Sequence, residues 1–219
     1  FDVMMQTPQN NKHHMYSVGE HTIRTLMNVR ADKVLRLTML LHDVAKPVCI
    51  TTDEEGQDHF KKHPAVGADM TKQILRRLKF DNKTIDCCCR LVKEHDDRPQ
   101  ITPKNVRRAM SRIGAGLFPM LFEVKRADML GQSLYKRKEK MAYIDEFERV
   151  YNEILSDDQC VSKKDMKING RDLINLGMEP GQKLGEILDK LYEMVLDDPE
   201  LNDHEKLIEH ANKIISTLI

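Results

Sequence analysis

Asp32-Lys33-Val34-Leu35-Arg36-Leu37-Thr38-Met39-Leu40-Leu41-His42-Asp43-Val44-Ala45-Lys46-Pro47 is the stretch on which the fold turns. Its apolar residues fall nearly all round a helix of 3.6 residues per turn, which predicts a central helix over about 32–46 that Pro47 ends. An imidazole and a carboxylate at the end of so apolar a helix are costly to bury unless something pairs with them. His42 follows Met39 and Leu35 by three and seven residues, and Asp43 follows Leu40 and Met39 by three and four. Both therefore face inward.

Outward from this helix the signals stay helical. Ser17 with Glu20 is a capping box opening a helix to about Val29. Val48 to Phe60 reads as a β-hairpin around Gly56, the one sheet expected. Pro64 opens a helix whose inner stripe is Val66, Met70, Ile74 and Leu78, and Asn82 to His95 forms another with Ile85, Cys88, Cys89 and Val92 inward. Thr102-Pro103 starts a helix punctuated by Gly114 and Gly116, and a long helical region runs from Leu117 to about Leu155 with a break near Gly131. Residues 156–167 are polar and read as a linker, before three short helices in 169–219 that turn at Gly177, Pro180 and Gly181. The expected class is all-α with one short hairpin, divided into a domain over 1–155 and a linker with a C-terminal helical region over 156–219.

Composition agrees. Gly and Pro together make 18 of 219 residues, aromatics are 5% and Trp is absent, which favours helices over a β-sandwich. Lys plus Arg and Asp plus Glu balance at 35 each, so a wholly basic nucleic-acid module and a disordered acidic tail are both excluded. No apolar run approaches the roughly 20 residues of a membrane span. Five Cys, three of them consecutive at Cys87 to Cys89, give an odd count without paired spacing, so a reducing, cytoplasmic setting is expected. The chain opens on Phe1, which suggests a fragment of a longer polypeptide.

The inward test applied to His42 and Asp43 selects further polar residues on apolar stripes. His21 follows Val18 by three, His95 follows Val92 and Leu91 by three and four, and Asp128 follows Val124 and Leu121 by four and seven. His63 stands at the mouth of the helix opened by Pro64. A satisfied core histidine is the ordinary meaning of any one of these. Six such groups together point to a metal centre, and imidazole mixed with carboxylate suits one or two ions of Mn, Fe, Co, Ni or Zn rather than Ca.

The order His21, His42-Asp43, His63, His95, Asp128, with His42-Asp43-Val44-Ala45-Lys46 and Val92-Lys93-Glu94-His95-Asp96-Asp97-Arg98, resembles the HD-domain phosphohydrolase superfamily. That resemblance implies an HD-domain helical bundle in which Asp43 bridges two ions, His21, His42 and Asp128 hold one, and His63 and His95 hold the other. It also implies that Lys46 contacts phosphate. The Gly-Tyr-Pro of HD-type cyclic dinucleotide phosphodiesterases is missing after Arg98.

A second resemblance covers nearly the whole chain. Gln9-Asn10-Asn11, Glu20-His21-Thr22, Asp58-His59-Phe60, Leu75-Arg76-Arg77-Leu78, Lys125-Arg126-Ala127-Asp128, Asn169-Gly170-Arg171-Asp172-Leu173 and Pro180-Gly181 are similar to the HD and C-terminal region of bacterial CCA-adding tRNA nucleotidyltransferases. This likeness implies a metal-dependent phosphohydrolase acting on phosphate esters, 2′,3′-cyclic phosphates or 2′-phosphates among them, within a tRNA-processing protein. The Gly-Ser pair and paired-Asp motif of the N-terminal nucleotidyltransferase head do not occur here, so nucleotide addition by this chain alone is not expected.

Residues 90–140 carry 13 Lys and Arg against 6 Asp and Glu, whereas 179–219 carry 4 against 10. Arg107, Arg108, Arg112, Lys136, Arg137 and Lys138 are thus the candidates for meeting tRNA phosphates. His14 and Arg98 are candidate pocket residues. Two rival readings are a catalytically silent tRNA-binding module and a stand-alone nucleotide phosphohydrolase.

Overall fold

A computed structural model of the chain describes residues 1–217. Its helices are α1 (Asp2–Gln6), α2 (Val18–Leu26), α3 (Lys33–Leu41), α4 (Lys46–Cys49), α5 (His63–Arg77), α6 (Asn82–Glu94), α7 (Pro103–Ile113), α8 (Phe118–Gly131), α9 (Arg137–Ser156), α10 (Gly170–Asn175), α11 (Gln182–Asp197) and α12 (His204–Ser216). Among the described residues the sheet is one antiparallel hairpin, β1 (Thr51–Thr52) with β2 (Asp58–His59), in the register Thr51 opposite His59. The fold is all-α. No helix of the described residues is long and apolar enough to cross a membrane.

Local chemistry sets most helix starts. Ser17 and Glu20 close the capping box on α2, and Asp32, Asp81 and Thr102 accept backbone N–H groups at the starts of α3, α6 and α7. Gly56, at φ 78°, turns the hairpin where a Cβ would be strained. Pro47 does not end the central helix as expected. That helix stops at Leu41, residues 42–45 form turns, and Pro47 sits in the first turn of α4, where its missing N–H has no partner to lose.

The chain forms two compact units, Phe1–Arg98 with Gly116–Glu148, and Pro99–Ala115 with the chain from Arg149 on. In the first unit, α3 packs against α2, α6 and α8, while α5 lies along α6. Leu41, Leu75, Ile85 and Cys88 form one core cluster, and Phe118, Phe122 and Phe147 stack edge to face with ring centroids 5.5 to 5.6 Å apart. The buried face of α5 is His63, Gly67, Thr71 and Leu75, whereas Val66 and Leu78 are exposed. The expected stripe was one residue out. Gly67 lies on this buried face, where a Cβ would meet Val92 Cγ1 at 3.4 Å.

In the second unit, α11 packs against α7, α10 and α12 around Leu173, Ile187, Leu191, Val195, Leu207 and Ala211. Segment 156–167 is more than a polar linker, since Cys160 and Val161 are buried and the Val161 carbonyl accepts from Tyr192 Oη at 2.8 Å. The sequence drew its boundary at 155, whereas the second unit here also takes in Pro99–Ala115 and the end of α9.

Candidate metal centre

Every candidate ligand lies in the first unit. His21 comes from α2, His42 and Asp43 from the end of α3, His63 from the start of α5, His95 from the end of α6 and Asp128 from α8. All six are buried. His21, His42 and Asp43 place ligand atoms within 4.8 Å of one another, and so do Asp43, His63 and His95, so Asp43 belongs to both groups. Its Oδ2 faces His42 Nε2 at 3.2 Å and His21 Nε2 at 3.5 Å, while Oδ1 faces His63 and His95 Nε2 at 3.4 and 3.7 Å. Asp128 Oδ1 joins the first group, 2.9 Å from His21 Nε2 and 3.6 Å from His42 Nε2.

The far sides of the rings are held by carbonyls. His42, His63 and His95 each set Nδ1 2.7 Å from a carbonyl three residues earlier, those of Met39, Phe60 and Val92, and His21 sets Nδ1 3.1 Å from the Gly131 carbonyl. An Nδ1–H that donates outward leaves an Nε2 lone pair aimed inward, which is how proteins orient imidazoles toward a metal. Nε2 atoms then meet in pairs at 3.3 Å, His21 with His42 and His63 with His95. Of the two buried oxygens of Asp43, Oδ2 has the Lys46 ammonium at 2.8 Å and Oδ1 has no hydrogen-bond partner, an expensive arrangement that a cation between these atoms relieves. The residues therefore fit a divalent ion at each group.

Charge is concentrated here. Burial opposes ionisation of Asp43 and Asp128, but the His42 and Lys46 charges beside Asp43, and bonds from His21 and His42 to Asp128, hold both well below the usual carboxylate range. For His42, burial is outweighed by Asp43 and Asp128, which carry its pKa up to about 10, so an ion bound at its Nε2 would displace a proton. His95 shifts the other way, lowered chiefly by burial.

Lys46 Nζ lies 2.8 Å from Asp43 Oδ2 and donates to Gln9 Oε1 at 2.8 Å. His14, half-buried, stands edge-on to His21 with ring centroids 5.1 Å apart. Burial and the Lys46 charge push its pKa down to about 3, so it is neutral at ordinary pH. Arg98 lines the cleft beside His95 and Asp128.

Three supporting residues have roles that the sequence reading did not assign, although Gln9 and Lys125 lie in motifs quoted from the sequence. Gln132 Nε2 donates to Asp128 Oδ2 at 2.8 Å and is itself held by Lys140 Nζ. Gln9 holds Lys46. Buried Lys125 donates to the carbonyls of Glu94, His95 and Asp97 at 3.2, 2.9 and 2.6 Å, fastening the C-terminus of α6 and hence His95. Burial brings the Lys125 pKa down to about 8. One signal was legible: Gly131, read only as a break, is where a Cβ would meet Thr25 Cγ2 at 2.5 Å and His21 Nδ1 at 3.1 Å. We expect Lys125→Met, which keeps the stem and strands these acceptors, to destabilise the chain by about 2–4 kcal/mol in thermal unfolding.

The proposed RNA contacts divide between the two units, Arg107, Arg108 and Arg112 in the second and Lys136, Arg137 and Lys138 in the first. Arg107 is buried, with Nε on the Leu196 carbonyl at 2.8 Å, Nη2 on the Asp197 carbonyl at 3.0 Å and Nη1 on Gln159 Oε1 at 2.9 Å. Where the sequence reading expected a phosphate contact, the guanidinium fastens the end of α11 inside the second unit. Arg108 is taken up by Glu193 and Asp197, at 2.6 and 2.7 Å. Arg137 ties down the Gln132 carbonyl at 3.0 Å. Arg112, Lys136 and Lys138 are exposed.

A family model for tRNA nucleotidyltransferase domain 2 matches residues 65–211. The chain belongs to the tRNA nucleotidyltransferase family. It is 31% identical to the A-adding tRNA nucleotidyltransferase of Deinococcus radiodurans over 194 residues, 84% of this chain and 44% of that protein. It is 28% identical to the CC-adding enzyme of Thermus thermophilus over 191 residues, again 84% of this chain and 42% of that protein. A shorter stretch of 55 residues, 25% of this chain and 14% of the relative, is 47% identical to the CCA-adding enzyme of Ligilactobacillus salivarius. The chain thus spans less than half the length of the two relatives that match most of it.

Proposed function

We propose that this chain is the HD and C-terminal portion of a CCA-adding-type tRNA nucleotidyltransferase, and that its buried His and Asp cluster is a metal-dependent phosphohydrolase centre. The observation that carries the reading is the buried carboxylate of Asp43, which has only the Lys46 ammonium on one oxygen and is faced by four imidazole Nε2 atoms whose Nδ1 sides are turned to carbonyls. His21, His42 and Asp128 would hold one ion, His63 and His95 the other, and Asp43 both. Bound ions of the Mn, Fe, Co, Ni or Zn type supply Lewis-acid polarisation of a phosphoryl oxygen and a lowered pKa for water.

The chain's own residues do the positioning. Lys46, fixed between Gln9 and Asp43, presents its ammonium to the cleft, where a phosphate ester gathers negative charge in the transition state. Gln132 and Lys140 keep Asp128 aimed, and Lys125 keeps the end of α6 in place. Neutral His14, its Nδ1 buried without a partner, is placed to bond the substrate. The exposed Arg112, Lys136 and Lys138 remain the candidate tRNA contacts, and extension of tRNA ends is proposed for the whole protein rather than for this portion.

The test is elemental analysis of protein purified without chelator, together with turnover of bis(p-nitrophenyl) phosphate and a 2′,3′-cyclic nucleotide in Mn, Co or Ni. We expect bound metal, turnover that EDTA removes and metal restores, and a melting temperature raised by saturating ion. Stabilisation of about 2.7 kcal/mol corresponds to ion at a hundredfold over its Kd. Protein that takes up no metal and hydrolyses neither substrate would support the silent tRNA-binding module instead.

A further inference from the structure

Two stretches singled out in the sequence, Gln9-Asn10-Asn11 and Asp58-His59-Phe60, lie outside the candidate ligand set. The fold bonds them to each other across 48 residues. Asp58 is buried in the hairpin. Its Oδ2 accepts the Asn10 N–H at 2.8 Å, its Oδ1 accepts the Thr52 hydroxyl at 2.8 Å, and its own N–H donates to the Asn10 carbonyl at 3.1 Å. Asn10 Nδ2 donates in turn to the Gly56 carbonyl at 2.5 Å. The hairpin thus grips a strap of chain, residues 9–16, near its beginning. Further along, Ser133 pins the same strap, its N–H donating to the His13 carbonyl at 2.8 Å and its hydroxyl to the Lys12 carbonyl at 2.7 Å.

His14 follows the Ser133 anchor, whereas Gln9 adjoins the Asp58 one. Gln9 is buried, donates Nε2 to the Tyr16 carbonyl at 3.2 Å and accepts from Lys46 Nζ at Oε1. The hairpin reaches Lys46 from a second side, where the ammonium stands 5.2 Å from the centroid of the Phe60 ring. A lysine ammonium on its four-carbon stem has no aim of its own, so its partners supply it. We propose that Asp58 is a positioning residue for the phosphoryl chemistry of the first unit: by anchoring Asn10 it sets Gln9, and through Gln9 it aims Lys46. The proposal rests on the phosphohydrolase reading and gives the hairpin a part in it. Asp58 also lines the cleft, so a carboxylate that meets the substrate itself is the rival account. The two need different things from the side chain, bonds in one case and charge in the other. Asp58→Asn separates them, because its amide oxygen accepts the Asn10 N–H and its NH₂ donates to the Thr52 hydroxyl while the charge is gone.

The experiment takes the whole chain with manganese and bis(p-nitrophenyl) phosphate. Asp58→Ala is expected to lower kcat at least tenfold with KM within twofold and metal content unchanged, and Asp58→Asn to keep kcat within twofold of the parent. In a Lys46→Ala background, Asp58→Ala should cost less than a further twofold, since two changes that act through one group do not add. General damage to the fold would multiply the losses instead. A second readout needs no turnover: the rate at which acetic anhydride acylates Lys46, followed by mass spectrometry, should be low in the parent, where the side chain is 5% exposed, at least fivefold higher in Asp58→Ala and parent-like in Asp58→Asn. Should Asp58→Ala fail to fold, Asn10→Ala cuts the bond to Gly56 at an exposed residue and carries the same comparison at about threefold. Parent-like kcat and acylation in the alanine variant, an Asp58→Asn protein as impaired as Asp58→Ala, or an undiminished loss in the Lys46→Ala background overturns the proposal. A parent without turnover sinks the hydrolase reading, whereas acylation of Lys46 that ignores Asp58 sinks this one.

Discussion

Asp43→Ala is expected to remove bound metal and hydrolysis together, with turnover falling by more than the roughly hundredfold that loss of a ligand's supporting partner alone produces. The reason is position. Asp43 is the residue common to both ligand groups, with one oxygen toward His21 and His42 and the other toward His63 and His95. Asp43→Asn, which keeps the volume and removes the charge, should lose nearly as much. Far-UV circular dichroism should stay that of the parent, because residue 43 lies in the turn after α3 rather than inside a helix. Metal content by elemental analysis and initial rates on bis(p-nitrophenyl) phosphate are the measurements. An Asp43→Ala protein with full activity would place the hydrolysis at another site.

Arg107→Ala should be the most destabilising change in the second unit, by about 3–5 kcal/mol in urea or thermal unfolding. It strips three charge-assisted bonds and leaves the Leu196 and Asp197 carbonyls, at the C-terminal end of α11, without their donor. Burial lowers the Arg107 pKa, against the pull of Asp198 and Asp197, yet a guanidinium remains charged throughout the working range. Arg108→Ala gives the contrast. Its partners Glu193 and Asp197 are solvent-facing, so a loss of at most about 1 kcal/mol is expected. Should Arg107→Ala melt with the parent, the buried contacts to α11 contribute nothing net and the residue returns to the candidates for RNA contact.

The pattern of amino acids was enough for what is local. Ser17 with Glu20, Asp32, Asp81 and Thr102 mark helix starts because a cap and its N–H lie within three residues of each other. Likewise, the spacing of His21, His42, His95 and Asp128 from apolar neighbours on their own helices shows that each points inward, since helical direction follows from a three- or four-residue offset. Tertiary structure decided which inward groups meet. The contact between His21 and Asp128 spans 107 residues, and that between His63 and His95 spans 32, separations over which no periodicity carries information. Packing also chose the buried face of α5, where Gly67 rather than the larger Val66 lies against Val92. Arg107 shows the same limit from the side of charge. A basic run reads identically whether its arginines face water or a helix end folded back from 89 residues away, and only the path of the chain determines which carbonyls a guanidinium can reach.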